Sequence, residues 1–300
     1  MQYNWIQKCL NSLLDSLVKI EIIVIDNAST DETVNFIQKK YSQVDLIVSK
    51  ENLGFGKANN IGIKYAIDNG ADYVFLLNQD AWVEPNTIEK LLEVHKIHPK
   101  YGILSPIHLN GTYDRIDENY FHYSSRDHYE NLWYDCFLSK MKEVYSTERV
   151  NAAAWFMSRE CIDRVGLFNP MFKHYGEDDN YCDRAKYHGF KIGIVPSVTI
   201  CHDRDYERSV TSDFYSNKLE HLKNSCLMVS LLDPNNKNFM DLYNLQSKLY
   251  IKNIIKYAYR FKIKPFIEET KKIHKWLVMK KKIIINRQRE TINNAFSELE

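Results

Sequence analysis

Short apolar runs, separated by polar stretches with helix-forming residues, dominate the first 80 residues. The β-branched run 20–25 ends at Asp26, and two further apolar runs, 45–49 and 73–77, repeat this arrangement. Strands that alternate with helices predict an α/β layer with a largely parallel sheet. Ligands gather at the carboxyl ends of the strands in such a sheet, where we expect Asp26 and Asn78.

The middle of the chain continues the alternation but includes one irregular stretch. Pro85 and Pro99 bound a predicted helix, and apolar patterns predict strands over 150–157 and leading to His202. Residues 110–147 are rich in Tyr, His and Asp and have little periodicity. We therefore expect either an irregular insertion there or a segment that faces an acceptor substrate.

Beyond residue 212 the sequence becomes helical and basic, so we divide the chain into a domain over 1–212 and a helical, basic region over 213–300. The 300 residues include 44% hydrophobic ones and carry a formal charge of +1. This balance indicates a folded core and no global attraction to nucleic acid. The six cysteines lack paired spacing, and no apolar run reaches the length of about 20 residues that spans a membrane. These features predict a cytoplasmic protein.

The tripeptide Asn78-Gln79-Asp80 follows the third apolar run and is the first candidate site. If the strand persists, Asn78 and Asp80 lie on one face and present oxygens to a single ligand. A hard divalent cation bound to phosphates needs only one or two protein carboxylates, because substrate oxygens and water complete its coordination. Alternatively, these residues only turn the chain after a strand.

Three adjacent acids, Glu177, Asp178 and Asp179, form the second candidate site. Adjacent carboxylates repel each other unless a cation or a helix N-terminus compensates their charge. One of them can act as a general base while another positions an acceptor. Acids in the first turn of a helix are equally well explained as partners of the helix dipole, so both interpretations stay open at this point.

Two weaker features suit phosphate chemistry. The turn over 52–57 combines Gly54 and Gly56 with Lys57 immediately before a predicted helix, which favours a phosphate or a nucleotide. This glycine pattern is neither a P-loop nor a dinucleotide fingerprint. His202 closes an apolar run and can reach the same sheet edge as the acids, although a lone histidine is more often a hydrogen-bonded structural residue.

Taken in order, these stretches resemble the family-2 inverting glycosyltransferases with the GT-A fold, in particular the bacterial rhamnosyltransferase-like branch. The matching stretches, which span about residues 3–202, are Ile22 to Asp31, Asn52 to Asn60, Leu76 to Asp80, Gly176 to Asp179 with Arg184 and Gly189, and His202. The resemblance implies a doubly wound mixed α/β sheet with a helical C-terminal extension.

The resemblance also implies roles for individual residues. Asp178 matches the catalytic base, Asp26 matches the aspartate that contacts the nucleotide base, and Asp80 with His202 matches positions that hold Mn²⁺ or Mg²⁺. The other residues assigned to the donor are Asn27, Asn52, Gly54, Lys57, Asn60, Asn78 and Gln79. The residues assigned to the acceptor are Glu177, Asp179, Asn180 and Trp155.

Three departures from the family pattern bear on activity. Asn78 replaces the first acid of the metal-binding motif, and Asn180 stands where the pattern has an acid. Tyr3-Asn4-Trp5 resembles the turn that follows the family's first strand, but the apolar strand itself is missing. Loss of an inner strand exposes backbone groups of its neighbours. Either the true start lies upstream, or this chain is impaired.

The resemblance implies inverting transfer of a sugar from a nucleotide-diphosphate sugar to a glycan or lipid-linked glycan acceptor, in bacterial surface polysaccharide or cell-wall glycan synthesis. One rival is a non-catalytic or impaired homologue that still binds sugar nucleotides. The other is a nucleotidyltransferase, which would need a more glycine-rich and basic phosphate loop than this sequence contains.

The basic tail raises a separate question of membrane contact. Lys248, Lys252, Lys256 and Arg260 recur at helical spacing, with apolar residues between them. Such a helix either lies on an anionic membrane, at the inner face of the plasma membrane, or forms a solvated face packed on the core.

Overall fold

A computed structural model describes residues 2–124, 131–204 and 212–297. The helices are α1 Gln2–Leu14, α2 Thr33–Lys40, α3 Phe55–Asp68, α4 Thr87–Ile97, α5 Glu118–Ser124, α6 Leu132–Phe137, α7 Arg159–Val165, α8 Glu177–Tyr187, α9 Ser212–Leu232, α10 Phe239–Tyr259 and α11 Ile263–Arg289. The strands are β1 Ile23–Asp26, β2 Asp45–Val48, β3 Tyr73–Leu77, β4 Ala81–Val83, β5 Tyr101–Leu109, β6 Tyr145–Thr147, β7 Ala154–Ser158 and β8 Lys191–His202.

A mixed six-stranded sheet forms the centre of the molecule. Its order is β3-β7-β5-β8-β4, and β6 pairs with the first half of β8 on the same edge that β4 uses further along. β5 and β8 run parallel, whereas β7 is antiparallel to both β3 and β5. The predicted α/β class with a mixed sheet is confirmed. The largely parallel order that the alternation of strands and helices predicted is wrong, because four of the five strand pairs in this sheet are antiparallel.

Both faces of this sheet are covered, which explains the near-continuous apolar runs in its strands. Neighbouring residues alternate between two cores: Ile103 and Trp155 pack on one side, while Leu104 and Phe156 pack on the other. This period of two is the geometry of a strand.

β1 and β2 form a separate two-stranded parallel sheet. Within the described residues no strand precedes β1 or joins this pair to β3. The loss of the family's usual first strand stays a prediction. The predicted turn at Tyr3-Asn4-Trp5 is wrong, because these residues belong to α1. Ile6 and Leu10 lie four residues apart, on one face of that helix, and pack on Ile37 of α2.

The segment predicted to be irregular, 110–147, contains α5, α6 and β6, while its residues 125–130 lie outside the described part of the chain. Most of the described residues of 213–300 lie in α9, α10 and α11, which pack around Tyr243 and Trp276, whose rings stack at 4.8 Å, together with Phe172 from the loop before α8. None of the described helices combines the length and the apolar character needed to cross a membrane. The boundary at 212/213 stays a prediction.

Candidate active site

The end of β1 and the turn before α3 form one continuous hydrogen-bonded unit. Asp26 is buried, and its Oδ2 accepts a hydrogen bond from Ser29 N at 3.1 Å. Asn27 Oδ1 accepts from Leu53 N at 2.8 Å, and Asn27 Nδ2 donates to Asn52 Oδ1 and to Gly54 O, both at 3.2 Å. These bonds fix the turn next to the carboxyl end of β1.

Gly54 is required in this turn by both its conformation and its surroundings. Its φ of 80° lies in the left-handed region that favours glycine. A Cβ at this position would clash with the carbonyl oxygen of Lys173, in the loop that leads to α8. The turn assigned to the donor is therefore packed directly against the segment that precedes Asp178.

A cavity of about 360 Å³ opens between the two sheets. Apolar side chains from α1 and β1, including Leu10 and Val24, form one part of its wall, and Asp26, Asn27 and Asn78 form a polar part. The volume falls within the range of about 300–1,000 Å³ that is usual for small-molecule sites. Gln79 also lines it, so four of the eight residues assigned to the donor, Asp26, Asn27, Asn78 and Gln79, border one space.

Asp80 and His202 are brought together by the pairing of β4 with β8. Ala81 lies opposite His202 in the antiparallel register, and Asp80 O accepts from Asp203 N at 2.8 Å. Asp80 Oδ1 is consequently 3.4 Å from His202 Nε2. His202 is buried, and the ring of His108 lies edge-on to it with centroids 5.8 Å apart.

This pair fits part of the coordination sphere of a divalent cation. Neighbouring ligands of an octahedral ion, at about 2.1 Å from it and about 90° apart, lie about 3.0 Å from each other, which is close to the 3.4 Å between Asp80 Oδ1 and His202 Nε2. No group of three or more His, Cys, Asp or Glu side chains within the described residues is arranged to hold a metal. Asp80 and His202 can thus hold a cation only together with oxygens of a substrate or water.

The acidic cluster begins α8, preceded by Gly176 at φ 95°. Burial raises the pKa of Glu177 to about 7, and repulsion from Asp178 adds to the effect. Burial also raises the pKa of Asp179 to about 7, with Asp183 as a second cause. The pKa of Asp178 is raised by burial although backbone N–H groups, including that of Asp179 at 2.9 Å, favour its charged form. A carboxylate with a raised pKa is suited to accept a proton.

The segment Ala152-Ala153 connects the acidic cluster to the end of β3. The backbone N–H of Ala152 forms a hydrogen bond with the Asp178 carboxyl group, and Ala153 O accepts from Asn78 N at 2.9 Å. Asp178 and the Asn78 backbone therefore flank the same two residues. The two acidic motifs, about 100 residues apart in the chain, are brought to one region of the molecule.

Three residues assigned to substrates from the sequence are buried and engaged elsewhere. Trp155, predicted to bind the acceptor, is fully buried in β7 and stacks on Phe168. Asn60, predicted to bind the donor, is buried and bonds both the N–H and the C=O of Phe168 through its amide group. Asn180, predicted to bind the acceptor, is buried and donates to Glu290 at 2.8 Å. These three predictions are corrected, because the side chains contact other residues of the protein and are not accessible to a substrate.

Among the other predicted residues, Asn52 and Gln79 are exposed, Lys57, Asp178 and Asp179 are partly exposed, and Glu177 is buried. Sequence reasoning missed Arg149, which forms a bidentate ion pair with Asp183 at 2.6 Å and lies 3.9 Å from Asp179. It also missed Glu290. Neither residue stands in a motif, and their partners are distant in sequence, so no local signal identified them.

Comparison with solved structures supports the fold. The chain superimposes on GalNAc-T7, crystallised with UDP, GalNAc and Mn²⁺, with a TM-score of 0.55 and 17% identity, covering 81% of this chain and 51% of that one. It superimposes on residues 1–349 of S. aureus TarS, in complex with UDP-GlcNAc, with a TM-score of 0.53 and 14% identity, covering 97% and 87% of the two chains. The expected GT-A fold is confirmed.

Curated relatives are similar over about two thirds of this chain. Glycosyltransferase GlyA of Streptococcus pneumoniae is 27% identical over 194 residues, which cover 61% of this chain and 26% of GlyA. The dTDP-rhamnosyl transferase RfbF of Shigella flexneri is 25% identical over 203 residues, which cover 67% and 66%. The N-acetylglucosaminyl-diphospho-decaprenol L-rhamnosyltransferase of Mycobacterium tuberculosis is 24% identical over 239 residues, which cover 70% and 75%. The chain spans about a quarter of GlyA and just under two thirds of RfbF.

The family is established by the match to a family model. The model of Glycosyl transferase family 2 matches residues 2–166, which is more than half of the 300 residues. The chain therefore belongs to glycosyl transferase family 2.

Proposed function

We propose that this chain transfers a sugar, with inversion, from a nucleoside-diphosphate donor to a hydroxyl group of a glycan or lipid-linked glycan acceptor. The observation that carries the proposal is the position of Asp178, whose pKa is raised and which lies across Ala152-Ala153 from the polar wall of the cavity. The rhamnosyl-transferring relatives favour a role in surface polysaccharide or cell-wall glycan synthesis.

The proposed reaction is a single displacement. Asp178 accepts the proton of the acceptor hydroxyl as the hydroxyl oxygen bonds to the anomeric carbon of the donor sugar. The bond between that carbon and the diphosphate oxygen breaks, and the electron pair leaves with the diphosphate. Because the nucleophile and the leaving group are on opposite faces of the carbon, its configuration inverts without a covalent enzyme intermediate.

The donor is assigned to the cavity between the sheets. Asp26 and Asn27 would meet the nucleoside, and Asn78 and Gln79 lie near the diphosphate end. Asp80 and His202 would hold a divalent cation, Mn²⁺ or Mg²⁺, which offsets negative charge on the diphosphate when bound. The imidazole ligand favours Mn²⁺ over Mg²⁺.

Asp178→Asn tests this assignment because the amide is similar in size but cannot accept the proton. We expect transfer to fall by about 10²–10⁴-fold, while the affinity for the donor changes little. Release of nucleoside diphosphate from a panel of nucleotide sugars with Mn²⁺, with and without acceptor, measures transfer, and calorimetry measures binding. Asp163→Asn, at an exposed aspartate of α7, is the matched control. An Asp178→Asn variant with wild-type turnover would remove Asp178 from the role of base.

The split sheet favours a second candidate, a homologue that binds sugar nucleotides without turning them over. The missing connection between β1 and β3 leaves the two parts of the cavity wall on separate sheets. The same panel separates the two functions. Nucleoside diphosphate released from a bound donor supports an enzyme, whereas calorimetric binding without release supports a binding protein.

A membrane contact is the second part of the proposal, and the turn between α10 and α11 supports it. Tyr259, Phe261 and Ile263 at this turn are 86%, 92% and 74% exposed. The flanking cations Lys256, Arg260, Lys262 and Lys264 are exposed as well. No acidic residue occurs from residue 242 to 267. Apolar side chains surrounded by cations suit an anionic lipid surface, and would keep a cytoplasmic enzyme at the inner face of the plasma membrane.

Flotation with phosphatidylcholine vesicles, with or without anionic phosphatidylglycerol, tests this contact. The chain should float with anionic vesicles and less with neutral ones, and Phe261→Ser should weaken flotation several-fold. The matched control is Phe137→Ser, at an aromatic residue of α6 that is 87% exposed. Equal flotation of the Phe261→Ser and Phe137→Ser variants would contradict the assignment to the turn.

A further inference from the structure

The C-terminal end of the chain reaches the helix that carries Asp178. Glu290 directly follows α11 and is fully buried. Its Oε1 accepts hydrogen bonds from Asn169 Nδ2 at 2.6 Å and from Asn180 Nδ2 at 2.8 Å. Its backbone oxygen lies 3.3 Å from His188 Nε2. One residue thus contacts the loop before α8, its first turn and the residue that follows its end.

The residues after Glu290 strengthen this attachment. Leu167 N donates to Ala295 O at 2.8 Å, and Asn294 N donates to Arg164 O at 3.1 Å. The ring of Phe296 lies over the guanidinium group of Arg184, with 5.1 Å between Cζ and the ring centroid. The segment 290–296 is therefore packed onto α7 and α8.

Glu290 bridges two positions on one face of α8. Asn180 and Arg184 are four residues apart and lie one above the other on the helix. Arg184 is fully buried, and its guanidinium group attracts the Glu290 carboxylate while donating to Val165 O at 3.0 Å and Leu167 O at 2.5 Å. Asp178 precedes Asn180 by two residues, about 200° around the helix, so it lies on the other side, near Ala152.

We propose that Glu290 is a positioning residue for Asp178: its carboxylate fixes the rotation of the first turns of α8 through Asn180 and Arg184. The inference rests on the proposed function for its catalytic readout. It also gives a physical reason for Asn180, which departs from the acid of the family pattern. An acid at this position would place two buried carboxylates together, whereas asparagine supplies the N–H that Glu290 accepts.

The proposal is tested by exchanging the hydrogen-bonding groups of residues 180 and 290, so that the carboxylate lies at 180 and the amide at 290. Asn180→Asp should lower kcat at least about tenfold, since misplacement by about 1 Å can cost about 10²-fold, while the KM for the donor stays within about twofold. Combining Asn180→Asp with Glu290→Gln restores one N–H donor, one carboxylate and the charge beside Arg184. The double variant should return to within about threefold of the wild-type kcat. A double variant as impaired as Asn180→Asp would overturn the proposal.

Glu269→Gln is the matched control, because Glu269 is also buried, also belongs to the α10–α11 region and also accepts from an asparagine, Asn253, at 3.2 Å. It does not contact α8 in the described structure, so this variant should alter the melting temperature without a change in kcat. Equal losses of kcat in Glu269→Gln and Glu290→Gln would show a general effect on stability and overturn the proposal.

Hydrogen exchange separates this inference from the proposed function. Asn180→Asp should increase exchange of the amides over 177–184, and the double variant should restore their protection, whether or not the protein transfers a sugar. If the wild type transfers no sugar, the proposed function fails. The exchange data still show whether the contact between Glu290 and Asn180 holds the first turns of α8. Unchanged protection in Asn180→Asp would overturn the contact itself, and if that variant does not fold, Glu290→Ala is measured in the same way.

Discussion

A single added carbon at Gly54 is expected to disturb the turn assigned to the donor. With φ 80° and ψ −179°, Gly54 lies in a region that is essentially restricted to glycine and costs alanine about 1–3 kcal/mol, and the Cβ would also clash with Lys173 O. Gly54→Ala should therefore weaken donor binding at least about tenfold, because the turn must move away from the loop before α8. Calorimetry with the nucleotide sugar identified by the donor panel measures the change.

Gly70→Ala is the matched control for this prediction. Gly70 has a φ of 90°, but a Cβ there meets no atom within 4 Å. The variant should lose stability through backbone strain alone and keep its affinity for the donor. If both variants bind the donor like the wild type, the contact between the turn and Lys173 does not shape the donor site.

At the residue scale, the sequence predicts site residues more reliably at the ends of strands than in the interior of helices and strands. Asp80 and His202 are brought together by the register of β4 and β8, and the apolar run that ends at His202 predicted β8. Asn60 and Asn180 could not be assigned in the same way, because their hydrogen-bond partners lie 108 and 110 residues away. Trp155 is amphipathic, and only the packing of Phe168 reveals that it belongs to the core.

At the scale of elements, the separate β1–β2 sheet should be the least protected part of the α/β layer. Each of its strands pairs with one neighbour, whereas β5 and β8 are paired on both sides. Isolated two-stranded sheets are marginally stable, so their amides should exchange at least about tenfold faster than those of β5 and β8. Hydrogen exchange with mass spectrometry of the free chain checks this. Equal protection would mean that α1 and α2 stabilise the pair as well as a central sheet does.

For some strands and helices, the pattern of apolar residues is sufficient to predict the element. The apolar runs predicted β1, β2, β3, β7 and β8, because each run is short, apolar and bounded by turn residues. β4 and β6 have three residues each, too few to show a period. The first residues were assigned as a turn because they resemble one, but the spacing of Ile6 and Leu10 is that of the helix observed.

At the scale of the molecule, the helical C-terminal region and the α/β layer are joined by polar contacts that composition does not reveal. The change to a basic, helical sequence near residue 212 indicated a separate region. The structure adds the contacts of Glu290 and Ala295 with residues of the layer. A boundary in composition therefore coexists with a shared core, because Phe172 of the layer packs among apolar residues of the C-terminal helices and Asn235 Nδ2 donates to Asp183 O at 2.9 Å.

The buried carboxyl groups give the whole molecule a stability that depends on pH. The pKa values of Glu177, Asp179 and Glu290 are each raised to about 7, chiefly by burial. A raised pKa in the folded state means that this state binds more protons than the unfolded one between the two pKa values. The free energy of unfolding should therefore fall as pH rises from about 4.5 to about 7, by up to about 1.4 kcal/mol per unit for each group.

Glu177→Gln isolates one of these contributions. The amide cannot ionise, and at pH 8 it removes a buried charge that repels Asp178, so the variant should melt several degrees above the wild type. At pH 5 the native carboxyl group is protonated and neutral, so the two melting temperatures should nearly coincide. Glu160→Gln, at an exposed carboxylate of α7, should give a constant difference across this range. A difference for Glu177→Gln that is equally independent of pH would show that Glu177 does not titrate near pH 7 in the folded protein.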